Sequence, residues 1–312
     1  MGEAYKKIIL VTDSANSSKA ESQTALNFAK QHSAKVVVVD TVRPPSIAAT
    51  WLTSNAEDMF NIVVADKKKR LDQVAAVFKE AGIEVSVEVL YGKSSEEIAR
   101  AVLNEDADLV IRYMKGVNSR FESIFGATAR NLMRVCPCPI LLVGSEPISD
   151  PKVLACVNAE HGFNENEAIV KEAEKLAGKP DHLMAMYCWK FYGTEFLSEY
   201  LDENTLKNYL NEAEQNYQSV FDNFLTQHDL EAFEKGVRLQ NGDPAEVIPE
   251  VCRQEEIDVV VMSSASQNHP LKRLLGSTVE SVLDELPCAL LVVKPIGFTS
   301  PIKQTKVQVN DA

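Results

Sequence analysis

Tyr91-Gly92-Lys93-Ser94-Ser95-Glu96-Glu97-Ile98 returns 150 residues later as Asn241-Gly242-Asp243-Pro244-Ala245-Glu246-Val247-Ile248. Each stretch reads as the end of a strand, a glycine turn and the acidic start of a helix. Working outward, Asp108-Leu109-Val110-Ile111 faces Asp258-Val259-Val260-Val261, and Gly126 faces Gly276. Pro137-Cys138-Pro139-Ile140-Leu141-Leu142-Val143 faces Pro287-Cys288-Ala289-Leu290-Leu291-Val292-Val293. Toward the amino end of each copy the offset shortens slightly, with Ile8 to Asp13 opposite Val153 to Asn158. Self-similarity on this scale is a duplicated domain, and 312 residues give each copy enough chain to bury a core of its own.

Within a copy, apolar runs such as Lys35 to Val39 and Leu109 to Ile111 are short and β-branched, as in parallel strands covered on both faces. Between them, Leu71, Val74, Ala75 and Phe78 recur at helical spacing, and so do Ala213, Tyr217, Val220, Phe221 and Phe224. The alternation predicts an α/β fold. It consists of two tandem doubly wound domains, Rossmann-like, each with a parallel sheet of about five strands joined by right-handed crossovers. The expected domains are 1–146 and 151–296, separated by the polar stretch from Glu146 to Pro151. A tail, 297–312, lacks periodicity and is expected to lie over the surface or to be disordered.

The net charge of −13 excludes a nucleic-acid binder, which needs a basic surface to displace counterions. That charge is concentrated in one half: residues 1–150 hold 18 basic and 19 acidic side chains, residues 151–312 hold 14 and 26. The second half therefore repels a free polyphosphate at long range. Nothing in the sequence is long and apolar enough to span a membrane. The run Ile8 to Val11 is too short for a secretion signal, and Lys6 occupies the position where a myristoylation motif wants Ser or Thr. These features predict a cytoplasmic protein without membrane partners. The six scattered cysteines read as small core residues in a reducing compartment, Cys136-Pro137-Cys138 included, and no metal cluster is expected.

In an open parallel sheet a ligand sits beyond the carboxyl ends of the strands, where strand order reverses. Two segments of each copy reach that edge. The first is Val11-Thr12-Asp13-Ser14, with Val157-Asn158-Ala159 as its counterpart; Asp13 serves equally well as an acceptor for a base or sugar hydroxyl and as a turn former. The second is the loop after strand four, which leads to a helix at Gly126-Ala127-Thr128 and at Gly276-Ser277-Thr278. There the chain resembles the universal stress protein family, whose ATP-binding members share glycine, two residues, glycine, nine residues, glycine, then Ser or Thr. Such glycines let backbone N–H groups close on phosphates at a helix amino end.

Neither copy completes that pattern. The first reads Tyr113, Gly116, Gly126 and Ala127, with Thr128 next; the second reads Ser263, Ser266, Gly276 and Ser277, with Thr278 next. The aspartate after strand one is Asp13 in the first copy and Asn158 in the second. Tyr113 brings a ring where backbone should approach the ligand, so it stacks on something flat or blocks entry. Ser277-Thr278-Val279-Glu280 also starts a helix as a capping box with no ligand at all.

Other features have plainer readings. His269-Pro270 is a solvated loop pair, Lys67-Lys68-Lys69-Arg70 is the wet face of an amphipathic helix, and the Met and aromatic residues from Met184 to Phe196 are core or the lining of an apolar pocket. No paired carboxylates, Ser-His-Asp set or metal ligands assemble at the carboxyl edge, so no catalytic residue is assigned. The resemblance implies a non-catalytic stress-response protein that senses ATP, another adenine nucleotide or a different small molecule. Its copies are expected to pair through Ile140 to Val143 and Leu290 to Val293 as an internal pseudo-dimer, with a homodimer also open. The first copy is the better nucleotide candidate. Competing readings are a nucleotide hydrolase or adenylyl transferase, by analogy of fold alone, and a scaffold or carrier of an apolar ligand in the second copy.

Overall fold

The computed structural model describes residues 4–12, 19–45, 55–114, 127–159, 163–190, 194–227, 236–264, 277–283 and 285–304. In the first domain β1 (Lys7–Val11), β2 (Lys35–Val42), β3 (Val85–Tyr91), β4 (Leu109–Tyr113) and β5 (Ile140–Val143) form a parallel sheet in the order β3-β2-β1-β4-β5. Its helices are α1 (Lys19–His32), α2 (Ala56–Glu80), α3 (Ser94–Glu105) and α4 (Ala127–Val135). The order reverses direction between β1 and β4, and Thr12 and Met114 stand just beyond the carboxyl ends of those two strands.

The second domain repeats this plan with β6 (Val153–Val157), β7 (Leu183–Trp189), β8 (Val237–Asn241), β9 (Val259–Ser263) and β10 (Ala289–Val293), in the order β8-β7-β6-β9-β10 and again parallel. Its helices are α5 (Phe163–Ala177), α6 (Thr194–Tyr200), α7 (Glu203–Gln227), α8 (Pro244–Gln254) and α9 (Ser277–Leu283). Strands with unbroken Val, Ile and Leu runs are buried along their length: every residue of β5, β10 and Ile8 to Val11 is buried. The edge strands β3 and β8 instead carry Glu88, Tyr91 and Asn241, and only Leu90 among their residues is fully buried.

The duplicated glycines turn the chain from the edge strand into the next helix. Gly92 has φ +140 and Gly242 φ +147, and each donates its N–H across the sheet end at 2.9 Å, to Val42 O and Trp189 O respectively. A side chain there would be strained. In the stretch expected as the boundary, Ile148 is buried against α1: its N–H donates to Thr24 Oγ1 at 2.9 Å and its carbonyl accepts from Asn27 Nδ2 at 2.8 Å.

Residues Gly297 to Gln304 group with the first domain rather than with the second, to which they are covalently joined. Ser300 Oγ donates to Val135 O, and Gln304 Nε2 to Leu103 O, both at 2.6 Å. The tail thereby supplies partners to carbonyls in the last turns of α4 and α3, which a helix cannot satisfy internally. Residues 305–312 lie outside the described residues.

Candidate ligand site at the carboxyl edges

At the carboxyl edge of the first domain, Thr12 is buried and fixed by β2. Its N–H donates to Val39 O at 2.9 Å, and its Oγ1 donates to the same carbonyl at 3.4 Å. Tyr113 ends β4 half-buried, and Met114 follows it with its N–H on Val143 O at 2.7 Å. Ala127 and Thr128 open α4, exposed and half-buried respectively. Asp13, Gly116 and Gly126 lie outside the described residues, so Thr12, Tyr113, Ala127 and Thr128 are the expected site residues that the structure describes here.

Beside them stands a polar group that the sequence reading did not pick out. Lys67 Nζ donates to Asp40 Oδ2 at 2.6 Å, with side chains only 16% and 6% exposed. Asp40 Oδ1 accepts the Thr41 N–H at 2.7 Å, and Thr41 Oγ1 shares a hydrogen with Ser94 Oγ at 2.6 Å. The chain Lys67, Asp40, Thr41, Ser94 thus runs along the ends of β2 and β3 to the start of α3. Lys67 is not part of the wet face assigned to the run from Lys67 to Arg70. It sits one turn before Leu71, in line with the buried stripe Leu71, Ala75 and Phe78, and that alignment was the available signal.

In the second domain Asn158 follows β6. Its N–H donates to Asn166 Oδ1 at 2.9 Å and its carbonyl accepts from Asn166 Nδ2 at 2.7 Å, so one buried carboxamide of α5 clamps the backbone of the loop. Asn166 was also missed; its counterpart at the same register in the first domain is Glu21, likewise buried. Ser263 ends β9 half-buried and Ser264 is buried. Thr278 is exposed in the first turn of α9, whereas Ser266, Gly276, the Ser277 side chain and His269-Pro270 lie outside the described residues.

The two edges differ in chemistry at equivalent positions. Val36 pairs with Ile8 as Leu183 pairs with Val153, which sets Asp40, Thr41 and Val42 against Tyr187, Cys188 and Trp189. Where the first domain holds its ion pair, the second holds rings: Trp189 stacks on Tyr217 at 4.8 Å between centroids, and Tyr187 meets Phe221 at 5.7 Å. Met186, Tyr187 and Trp189 are therefore core, while Phe196 is exposed on α6; Phe191 and Tyr192 lie outside the described residues.

None of the six cysteines is in a disulfide. Cys136 Sγ and Cys138 Sγ lie 3.7 Å apart in the first core. Burial pushes the Cys156 thiol well up and raises Cys188 to about 12, and a hydrogen bond with Cys252 together with burial raises Cys288. Those three stay protonated at neutral pH and are poor nucleophiles and poor ligands. Among the described residues no group of three or more His, Cys, Asp or Glu is placed to hold a metal ion, and no helix is long and apolar enough to cross a membrane.

The universal stress protein family matches this chain twice, over residues 4–144 and 152–294. Universal stress protein E of Photorhabdus laumondii is 25% identical across 97% of this chain and 99% of its own length, and that of Escherichia coli is 24% identical across 96% and 97%. Among solved structures, a functionally unknown protein of Pseudomonas aeruginosa superposes with a TM-score of 0.69 at 20% identity, covering 94% of each chain. A universal stress protein of Archaeoglobus fulgidus gives 0.65 at 17% identity, over 94% of this chain and 98% of its own. The duplicated sheet with its reversal between first and fourth strands is the fold those structures share, and the chain belongs to the universal stress protein family, carrying the family's domain in tandem.

Proposed function

We propose that the protein is a non-catalytic sensor of the stress response, cytoplasmic, whose two carboxyl edges take different ligands. The first domain takes an adenine nucleotide, and the second a less polar molecule or none. The carrying observation is the contrast at equivalent positions, a charged and hydroxylic chain of Lys67, Asp40, Thr41 and Ser94 in one domain against stacked rings in the other. Polar side chains already fixed by hydrogen bonds at a strand-end crevice suit a polar ligand, because little ordering is left to be done on binding. The nearly neutral charge of the first half supports the same assignment, as do the glycines at 116 and 126. The Tyr113 ring stacks on the base in this reading.

The test is thermal unfolding with ATP added. At about 100 times its dissociation constant the nucleotide stabilises the domain that binds it by about 2.7 kcal/mol. The shift is expected in the wild type and in Gly276→Val, and absent from Asp13→Ala combined with Gly126→Val. A shift lost only in Gly276→Val would assign the nucleotide to the second domain, and no shift in any protein would leave a scaffold without nucleotide.

A further inference from the structure

Asn-Gly occurs once in the chain, at Asn241-Gly242, on the turn that carries β8 into α8; the equivalent turn of the first domain reads Tyr91-Gly92. The dipeptide has a chemistry of its own. The carboxamide carbon of asparagine is one ring closure away from the backbone nitrogen that follows it, and glycine, lacking a Cβ, puts no side chain in the way. Asn241 is exposed, so water meets the residue directly.

In the folded chain that closure is held off in two ways. Gly242 N–H donates to Trp189 O at 2.9 Å, and a nitrogen so engaged keeps its proton and stays against β7. Asn241 is the last residue of β8 and pairs with Trp189. A five-membered ring between Gly242 N and Asn241 Cγ needs the asparagine to leave the extended conformation of a strand. The restraint is local. β8 ends the sheet order, so β7 holds its turn from one side. Beyond Gly242, Asp243 Oδ1 accepts the Ala245 N–H at 3.0 Å and starts α8. Bonds of this kind at a strand end and a helix start open without the rest of the domain.

We propose that Asn241 is a site of self-modification gated by the turn after β8. While Gly242 N–H rests on Trp189 O the residue stays asparagine, and each opening of the turn exposes it to conversion. The reaction needs water alone. In the open turn Gly242 N gives its proton to solvent and attacks Asn241 Cγ; the N–Cγ bond forms, the Cγ–Nδ2 bond breaks, and Nδ2 leaves as ammonia with a proton from water. Water then opens the cyclic imide at either carbonyl and yields aspartate or its β-linked isomer. The isomer lengthens the main chain by one carbon just before Gly242, so the hydrogen bond to Trp189 O and the Asp243 cap of α8 no longer fit together. The mark is permanent, and it records how long the turn beside Trp189 has stood open. This inference is independent of the ligand assignment.

The experiment follows the peptide containing Asn241 by mass spectrometry while the full chain is incubated at neutral pH, folded or in guanidinium chloride. Conversion replaces the side-chain NH2 by OH, and the β-linked product is counted with an enzyme that methylates it. The unfolded chain is expected to convert about a hundredfold faster than the folded one or more. Asp243→Ala, which removes the cap beside the turn, is expected to raise the folded rate about fivefold and to leave the unfolded rate unchanged. Lys93→Ala, at the equivalent turn of the first domain, is expected to change neither. Converted protein is expected to melt lower in its second domain alone. A folded wild type that converts as fast as the unfolded chain, an unfolded chain that does not convert, a folded Asp243→Ala rate equal to wild type, or a second transition unmoved by conversion would overturn the proposal.

Discussion

Lys67 and Asp40 show how much a single contact changes the meaning of a residue. In sequence, Lys67 is the first of four cations and Asp40 an interruption in a run of valines; in the fold they are one shielded ion pair, 2.6 Å apart. Charges removed from water hold their place only while both partners are present. Lys67→Met is therefore expected to destabilise the first domain by about 3 kcal/mol in urea unfolding, because Asp40 is left buried without its cation. Adding Asp40→Asn is expected to recover most of that loss. A single variant as stable as wild type would show that water reaches the carboxylate. Thr12 and Asn158 were placed at the carboxyl edge by the end of the first strand of each copy, and Tyr113 by the family's glycine pattern; strand identity fixes what reaches that edge. Lys67 and Asn166 were not legible in this way, because each sits on a helix whose rotation about its axis decides whether a polar side chain faces the sheet or the solvent.

At the scale of elements, the paired turns after β3 and β8 share a backbone but not a tolerance. A Cβ placed on Gly242 would stand 2.6 Å from Val247 Cγ2, whereas one on Gly92 meets the side chain of Glu97, with Oε1 at 2.9 Å. Both positions also hold φ values that side chains avoid. Gly242→Ala is expected to cost the second domain about 2 kcal/mol, and Val247→Ala in the same chain to relieve the clash while leaving the backbone strain. Gly92→Ala is expected to cost the first domain less, because a flexible glutamate can yield. Equal losses in denaturant would mean that strain alone decides. The repeat itself disclosed these turns, since the strand, glycine and acidic-helix order survives in both copies. What it left unstated was the reach of α2 and α7, because helical periodicity continues whether or not a sheet lies beneath. Val220, placed by spacing on the apolar face of α7, is accordingly exposed, while Phe221 and Phe224 are buried.

Across the whole molecule the tail is the element that least follows the order of the chain. Removing residues 297–312 takes away two hydrogen bonds to helix ends of the first domain, at Val135 O and Leu103 O. The expected result is a loss of about 1 to 2 kcal/mol in the first domain, with the second domain, which precedes the tail directly, unaffected. Calorimetry that follows the two transitions separately checks this, and a shift confined to the second domain would contradict it. Composition announced only a stretch without periodicity after Pro295; Ser300 and Gln304 find their partners through a fold that periodicity does not encode.

The same tail sets a timetable for synthesis. Domains emerge from the ribosome in order and fold largely as units, so the first domain is otherwise assembled while the second is still being translated. Its final fastening must await Ser300 and Gln304, which are made only after the whole second domain. Until then the ends of α3 and α4 await their last partners, and the earliest part of the protein to form is among the last to be finished.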